Sequence, residues 1–143
     1  MEISRDLSAA FTGHRRYAGE CDDALRAVVG ELYVRGFRAF WSGMALGFDL
    51  AAAETVLALR EELPALRLCC AVPFPGQAER FSEADRIRYA RILSRADEVA
   101  TIASRYDPRC YLRRDAFMVE RSAVVVAWFD GGKGGTRYTW EYA

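Results

Sequence analysis

The sequence has one histidine, no net charge and no long apolar run. Its 20 basic and 20 acidic side chains cancel, so no overall charge attracts nucleic acid or an anionic membrane surface. No apolar segment approaches the roughly 20 residues of a membrane span, and no basic region followed by an apolar stretch stands at the N-terminus. We therefore expect a cytoplasmic protein whose partner is a small molecule or a protein, with no membrane contact and no nucleic acid.

Metal-binding patterns are also missing. The single histidine, His14, has no cysteine or histidine partner nearby, and the cysteines lack CxxC spacing. We expect no metal site, no required cofactor, and thiols that are reduced and buried in the core. The four cysteines are Cys21, Cys69, Cys70 and Cys110.

The composition is that of a globular protein. Hydrophobic residues make up 52% of the chain and charged residues 28%, and 143 residues suffice for one sizeable core. We therefore predict a single domain over residues 1–143.

Short apolar runs alternate with segments of helical periodicity, which is typical of parallel strands joined by helices. Because 68–74 and 123–129 are almost continuously apolar, we expect them to be buried parallel strands. The predicted fold is α/β and doubly wound, with a mainly parallel five-stranded sheet and helices on both faces. The predicted strands are 8–13, 37–43, 66–74, 98–104 and 123–129, and the predicted helices are 22–36, 49–62, one headed by Ser82, and one within 105–121.

Three glycine-containing loops each follow a predicted strand. Their sequences are TGHRR, SGMALGFD and DGGKGGT, and they should meet at the carboxyl edge of the sheet, where helix N-termini favour anions. Together they predict a nucleotide or phosphate site. The candidate ligand-binding residues are Gly13, His14, Arg15, Ser42, Gly43, Met44, Gly47, Asp49, Gly132, Gly134, Gly135 and Thr136.

None of these loops has a familiar phosphate-binding pattern. Lys133 lacks the spacing and the following hydroxyl of the GxxxxGK[ST] loop, and GMALGFD lacks the GxGxxG turn. We therefore expect neither an ATPase nor an ordinary dehydrogenase.

Several candidates have a structural alternative. His14 is interpreted as a hydrogen-bonding group for the ligand, as an acid or base, or as a structural polar contact. Asp49 either favours the start of a helix or accepts hydrogen bonds from ribose, and Ser42 donates either to phosphate or to backbone.

An arginine-rich segment at 105–121 supplies a further candidate. Arg114 and Met118 share a helix face, so an inward Met118 would bring Arg114 to the crevice and leave Arg113 in water. The forked guanidinium of arginine is the expected partner of a phosphate.

Three motifs, FTGHRR at 11–16, SGMALGFDLAAAE at 42–54 and DGGKGGTRYT at 130–139, resemble those of the SLOG superfamily. This Rossmann-like group contains the DprA/SMF proteins and the Lonely Guy phosphoribohydrolases, and the chain is most similar to its YpsA-type branch of small bacterial proteins. The resemblance covers nearly the whole chain and implies a nucleotide-derived ligand at the glycine-rich edge.

Lonely Guy enzymes use an Arg in the pattern MxxRKxxM and a Glu in GGxGTxxE. The resemblance places that Arg on Arg114, with Tyr111 and Asp115 replacing the first Met and the Lys. It places the Glu on Thr139, and Glu141 would lie about 200° around a helix from that position. The candidate catalytic residues are therefore Arg114, which can hold phosphate, and Asp49, which would have to supply the carboxylate.

The main prediction is a binding or sensing domain for ADP-ribose, NAD or a nucleoside phosphate. The alternatives are an N-glycosidase acting on nucleoside monophosphates and a DprA-like protein that binds single-stranded DNA. Family resemblance also suggests a homodimer or a protein partner. It predicts a frayed helix beginning at Thr136, loss of the family's last helix end and strand, and a sheet edge left exposed or covered by a partner.

Overall fold

The computed structural model describes the backbone of residues 5–130 and 136–142, and the side chains of residues 5–128. Strands and helices alternate along this part of the chain after a short turn of 3-10 helix at Arg5–Leu7. The elements are β1 (Ser8–Gly13), α1 (Asp22–Val34), β2 (Ala39–Ser42), α2 (Phe48–Arg60), β3 (Arg67–Val72), α3 (Glu83–Arg95), β4 (Glu98–Thr101), α4 (Cys110–Glu120), β5 (Val124–Asp130) and β6 (Thr136–Tyr142).

The sheet has the strand order β4-β3-β2-β1-β5-β6. Strands β1 to β5 pair in parallel, which confirms the predicted five-stranded parallel sheet, and β6 adds an antiparallel strand beside β5. The chain builds outward from β1 to β4 and then returns to place β5 on the other side of β1. The order of the sheet thus changes direction at β1, the type of position where ligands bind in α/β proteins.

The prediction of a helix beginning at Thr136 is wrong, because 136–142 is the strand β6. Its backbone pairs along the whole of β5, from Asp130 with Thr136 to Val124 with Tyr142. The sequence TRYTWEY is rich in threonine and aromatic residues, which favour strands. The predicted frayed helix is therefore also wrong, β6 covers the edge of β5, and the helical offset argued for Glu141 does not apply.

The helix ends follow local capping chemistry. Ser82 caps α3, where its Oγ accepts a hydrogen bond from the backbone N–H of Asp85 at 3.2 Å. At the end of α1, Gly36 has φ of +103° and the N–H of Phe37 donates to the carbonyl of Leu32. This left-handed glycine turns the chain into β2.

The two faces of the sheet carry unequal cores. The larger core contains Leu25, Leu50 and Ile92 from α1, α2 and α3, and α4 covers the opposite face with Met118 and Phe117. Helices thus lie on both faces, as predicted. Cys69 and Cys70 face opposite cores, as adjacent residues of a strand should.

All four cysteines are free and buried. Within the described ranges, no helix is long and apolar enough to cross a membrane. The same residues contain no group of three or more cysteine, histidine or acidic side chains that could hold a metal ion.

Candidate ligand site

The loops after β1 and β2 pack against each other at the carboxyl edge of the sheet. The backbone N–H of Phe48, at the start of α2, donates to the carbonyl of His14 at 3.2 Å. Gly47 has φ of +79°, and a Cβ placed on it would overlap the carbonyl group of Arg15. Glycine at 47 is therefore required both by the backbone conformation and by the contact between the two loops.

Gly13 serves the packing of α2 against β1. A Cβ on Gly13 would lie 2.5 Å from Cγ of Phe48, a distance at which the ring would have to move. Phe48 itself is fully buried and packs edge-on against Phe11 and Tyr17. The glycine thus allows the N-terminus of α2 to approach the end of β1.

Ser42 holds the loop that leads from β2 into α2. Its fully buried hydroxyl donates to the carbonyl of Asp49 at 2.9 Å and accepts from the N–H of Met44 at 3.2 Å. Met44 is also fully buried and has φ of +63°, an uncommon conformation for a residue other than glycine. The structure therefore gives Ser42 the backbone role, while its contact with a ligand stays a prediction.

Asp49 is a buried carboxyl group with an unused oxygen. Its side chain is held in the first turn of α2, the residue is 5% exposed, and Oδ2 accepts a hydrogen bond from the N–H of Ala45 at 3.3 Å. Oδ1 is buried and has no hydrogen-bond partner among the described residues. Burial raises the pKa of Asp49 to about 7, although the nearby charge of Arg114 acts in the opposite direction.

Arg114 reaches the same place from α4. It is 8% exposed, its Nη1 donates to the carbonyl of Gly43 at 3.1 Å, and its Nε donates to Oδ1 of Asp115 at 3.0 Å. Met118 is buried and Arg113 is exposed, as the helical spacing predicts. The contact with a ligand expected of Arg114 remains a prediction.

Gln77 belongs to the site and was missed in the sequence. Its Nε2 donates to the carbonyl of Gly43 at 3.1 Å, and its Oε1 accepts from the hydroxyl of Tyr89 at 2.9 Å. The carbonyl of Gly43 thus accepts hydrogen bonds from two side chains, Gln77 in the loop after β3 and Arg114 in α4. The available signal was the position of Gln77 beside Gly76, in a glycine-containing loop that also follows a parallel strand.

Asp49, Gln77 and Arg114 line one cavity of about 360 Å³, which we call the anion cavity. The volume is that of a small-molecule pocket. Asp115 and Arg15 also line it, so two arginines and two carboxyl groups share the space. Within the described part of the chain, Arg15 forms no ion pair. The polar residues that line it include Arg15, Asp49, Gln77, Arg114 and Asp115.

Two further predicted residues, His14 and Gly47, do not line the anion cavity. His14 is exposed, and its ring lies edge-on to Trp128 at a centroid distance of 5.7 Å. Gly47 lines a neighbouring cavity of about 430 Å³ with Arg15, Asp22 and Arg88. Gly132, Gly134 and Gly135 lie outside the described residues, and only the backbone of Thr136 is described, as the first residue of β6.

The sequence matches known proteins over most of its length. The sequence profile of the YspA SLOG family matches residues 9–143. The chain is 31% identical over 134 residues to the uncharacterized SPbeta prophage-derived protein YoqJ of Bacillus subtilis, covering 85% of this chain and 78% of YoqJ.

Two UPF0398 proteins are similar over a smaller share of their length. A UPF0398 protein of Bacillus velezensis is 36% identical over 87 residues, and one of Bacillus cereus is 38% identical over 93 residues. These alignments cover 59% and 64% of this chain, and only 48% and 50% of the two relatives. The matched part of the chain thus spans about half the length of the UPF0398 relatives.

A solved structure shares the fold. It is DNA processing protein A from Helicobacter pylori, described with a single-stranded DNA binding mode, and it superposes with a TM-score of 0.61 at 19% identity. The superposition covers 91% of this chain and 57% of that protein. The similarity confirms the α/β Rossmann-like architecture.

Proposed function

The chain belongs to the YspA SLOG family, and from this premise we propose that it binds a nucleotide-derived ligand in the anion cavity, in a binding or sensing role. The ligand class is ADP-ribose, NAD or a nucleoside phosphate. One observation carries the proposal: Arg114 and Asp49 are both buried and line the same cavity at the carboxyl edge of the sheet, and Oδ1 of Asp49 has no hydrogen-bond partner among the described residues. The proposed site of action is the cytoplasm.

The two charged groups suit different parts of such a ligand. Arg114 and Arg15 supply guanidinium groups for a phosphate, which arginine binds through two parallel hydrogen bonds. Asp49 supplies an oxygen that can accept a hydrogen bond from a ribose hydroxyl. Asp115 forms an ion pair with Arg114, in which Nη2 lies 3.0 Å from Oδ1.

Isothermal titration with AMP, ADP-ribose, NAD and inorganic phosphate tests the proposal. Arg114→Gln should weaken binding of every phosphate-bearing probe by tenfold or more, because a charge-assisted hydrogen bond is lost. Arg113→Gln is the matched control, since it removes the same charge from the exposed side of the same helix. Circular dichroism should show both variants folded.

Two results would contradict the proposal. One is a folded wild-type protein that binds none of these probes at millimolar concentration. The other is equal weakening by the two arginine substitutions, which would indicate a diffuse charge effect in place of a site at Arg114.

N-glycosidase activity on nucleoside monophosphates is the second candidate, and the state of Asp49 favours it. A carboxyl group with a pKa of about 7 can give up or take a proton near neutral pH, as general acid–base catalysis requires. The position that carries Glu in Lonely Guy enzymes is Thr139, so Asp49 would have to act at the sugar. Chromatography should then detect free base with the wild type and none with Asp49→Asn.

Binding of single-stranded DNA is the competing proposal suggested by the fold of the Helicobacter pylori protein. It predicts binding of a dT oligonucleotide that weakens steeply as salt is raised, because counterions are released when phosphates are neutralised. Mononucleotide binding in the anion cavity predicts a weaker salt dependence, since one or two phosphates are involved.

A further inference from the structure

Three aromatic side chains from separate segments meet beside the anion cavity. Phe74 follows β3, Tyr106 precedes α4 and Tyr111 lies in its first turn. The ring centroid of Phe74 lies 5.5 Å from that of Tyr106 and 6.2 Å from that of Tyr111, and the centroids of the two tyrosine rings are 6.4 Å apart. All three pairs are edge-to-face, an arrangement that fixes the rings relative to one another. We call them the aromatic cluster.

The aromatic cluster lines a second cavity, of about 610 Å³, which we call the aromatic cavity. This space adjoins the anion cavity, because Arg15, Gln77, Phe81 and Tyr111 line both. Tyr111 lies at the junction, and Cζ of Arg114 is 5.4 Å from the centroid of its ring.

The aromatic rings are open to solvent. Tyr106 is 59% exposed and Tyr111 is 40% exposed. Exposed aromatic faces are used to stack the bases of nucleic acids and nucleotides. Glu79 and Arg80 also line the aromatic cavity, so a hydrogen-bond acceptor and a donor are available for the polar edge of a base.

We infer that the aromatic cavity binds the nucleobase of the same ligand whose phosphate occupies the anion cavity. This inference rests on the proposed function and assigns the base and the phosphate of that ligand to two separate cavities. Tyr106 stacks on the base, Tyr111 lies between base and phosphate, and Arg114 holds the phosphate.

The experiment compares a fluorescent base with a base-free sugar phosphate. The riboside 5′-monophosphate of 2-aminopurine is titrated against the full chain, because its fluorescence is quenched when the base stacks on an aromatic ring. The titration is repeated with Tyr106→Ala, with Tyr106→Phe and with Leu112→Ala. Leu112 is 72% exposed on the same helix as Tyr111, so its substitution controls for loss of exposed apolar surface.

The wild type should quench the probe, and AMP should displace it at about one tenth of the concentration that ribose 5-phosphate requires. Tyr106→Ala should weaken AMP binding about tenfold and leave ribose 5-phosphate unchanged, while Tyr106→Phe and Leu112→Ala behave like the wild type. Equal affinities for AMP and ribose 5-phosphate, with no effect of Tyr106→Ala, would overturn the base site alone and leave the phosphate site intact.

Two other outcomes would also overturn the inference. Binding of neither AMP nor ribose 5-phosphate removes the proposed function and the base site together. Binding of a dT oligonucleotide that Tyr106→Ala abolishes, with no binding of AMP, would assign the aromatic cluster to a nucleic-acid strand.

Discussion

The guanidinium of Arg114 lies directly against the backbone of Gly43. Nη1 donates to the Gly43 carbonyl at 3.1 Å, and a Cβ on Gly43 would lie 2.8 Å from Nε and 2.9 Å from Cδ. The loop after β2 and the helix α4 are thus fitted to each other at one glycine. Arg114, the main candidate for binding a phosphate, can take this position only because Gly43, 71 residues earlier in the sequence, has no side chain.

Gly43→Ala should displace Arg114 while the protein remains folded, because the arginine side chain can shift where the backbone cannot. We expect AMP affinity in calorimetry to fall at least about tenfold, as for loss of a charge-assisted hydrogen bond. The NMR signal of Arg114 Nε should move even without a ligand. Gly30→Ala is the control, since its new Cβ meets nothing within 4 Å. Unchanged affinity and an unchanged Nε signal in Gly43→Ala would contradict this prediction.

Gly47→Ala should destabilise the protein strongly. The substitution places a side chain at φ of +79° and against the backbone of Arg15, so strain and overlap add to about 2 to 6 kcal/mol. Gly19→Ala shares the left-handed conformation, with φ of +97°, but its Cβ approaches only the side chain of Asp22. Urea unfolding should therefore show a much smaller loss for Gly19→Ala, and similar losses for both would refute the packing between the two loops.

Asp49 should make stability depend on pH. Its folded-state pKa is about 7, raised from 3.8 by burial, so the unfolded chain releases this proton first as the pH rises. The stabilising contribution is fully present below about pH 4 and is lost progressively up to about pH 7, by on the order of 4 kcal/mol. Urea unfolding at several pH values should show the wild type losing stability relative to Asp49→Asn across this range. A difference in the free energy of unfolding between wild type and Asp49→Asn that does not change with pH, or that changes in favour of the wild type as the pH rises, would contradict the raised pKa of Asp49.

Ser42→Ala should reduce stability by about 1 to 3 kcal/mol, because the buried N–H of Met44 loses its acceptor. Thermal unfolding measures the effect. Ser94→Ala is the control: its hydroxyl donates to the carbonyl of Arg91 at an exposed position, where water can replace it. Equal melting temperatures for the two variants would show that the Ser42 hydroxyl does not hold the loop.

Much of the architecture could be predicted because it depends on local patterns. Continuous apolar runs predict the buried parallel strands. The four-residue spacing of Arg114 and Met118 predicts that Arg114 reaches the cavity and that Arg113 is exposed to water. Ser82 was recognised as the head of α3. The helix predicted from Thr136 is wrong because it follows from the resemblance to the family, whereas the threonine and aromatic pattern of TRYTWEY favours a strand.

The site was harder to predict, because its contacts join distant positions. Gly13 and Gly47 are predicted to contact a ligand, and that contact stays a prediction. The structure adds a packing role, which holds α2 against β1 at Gly13 and one loop against the other at Gly47. Gln77 hydrogen-bonds to Gly43 across 34 positions of the sequence. Such contacts leave no periodic signal in a single sequence.

The position of Arg15 has a consequence for how the cavities work together. This side chain lines the anion cavity, the aromatic cavity and the neighbouring cavity beside Arg88. One guanidinium cannot occupy three directions at once, so a molecule that recruits it into one space withdraws positive charge from the other two. A ligand that binds the Arg15 guanidinium in one cavity would therefore leave less positive charge for a ligand in either of the other two.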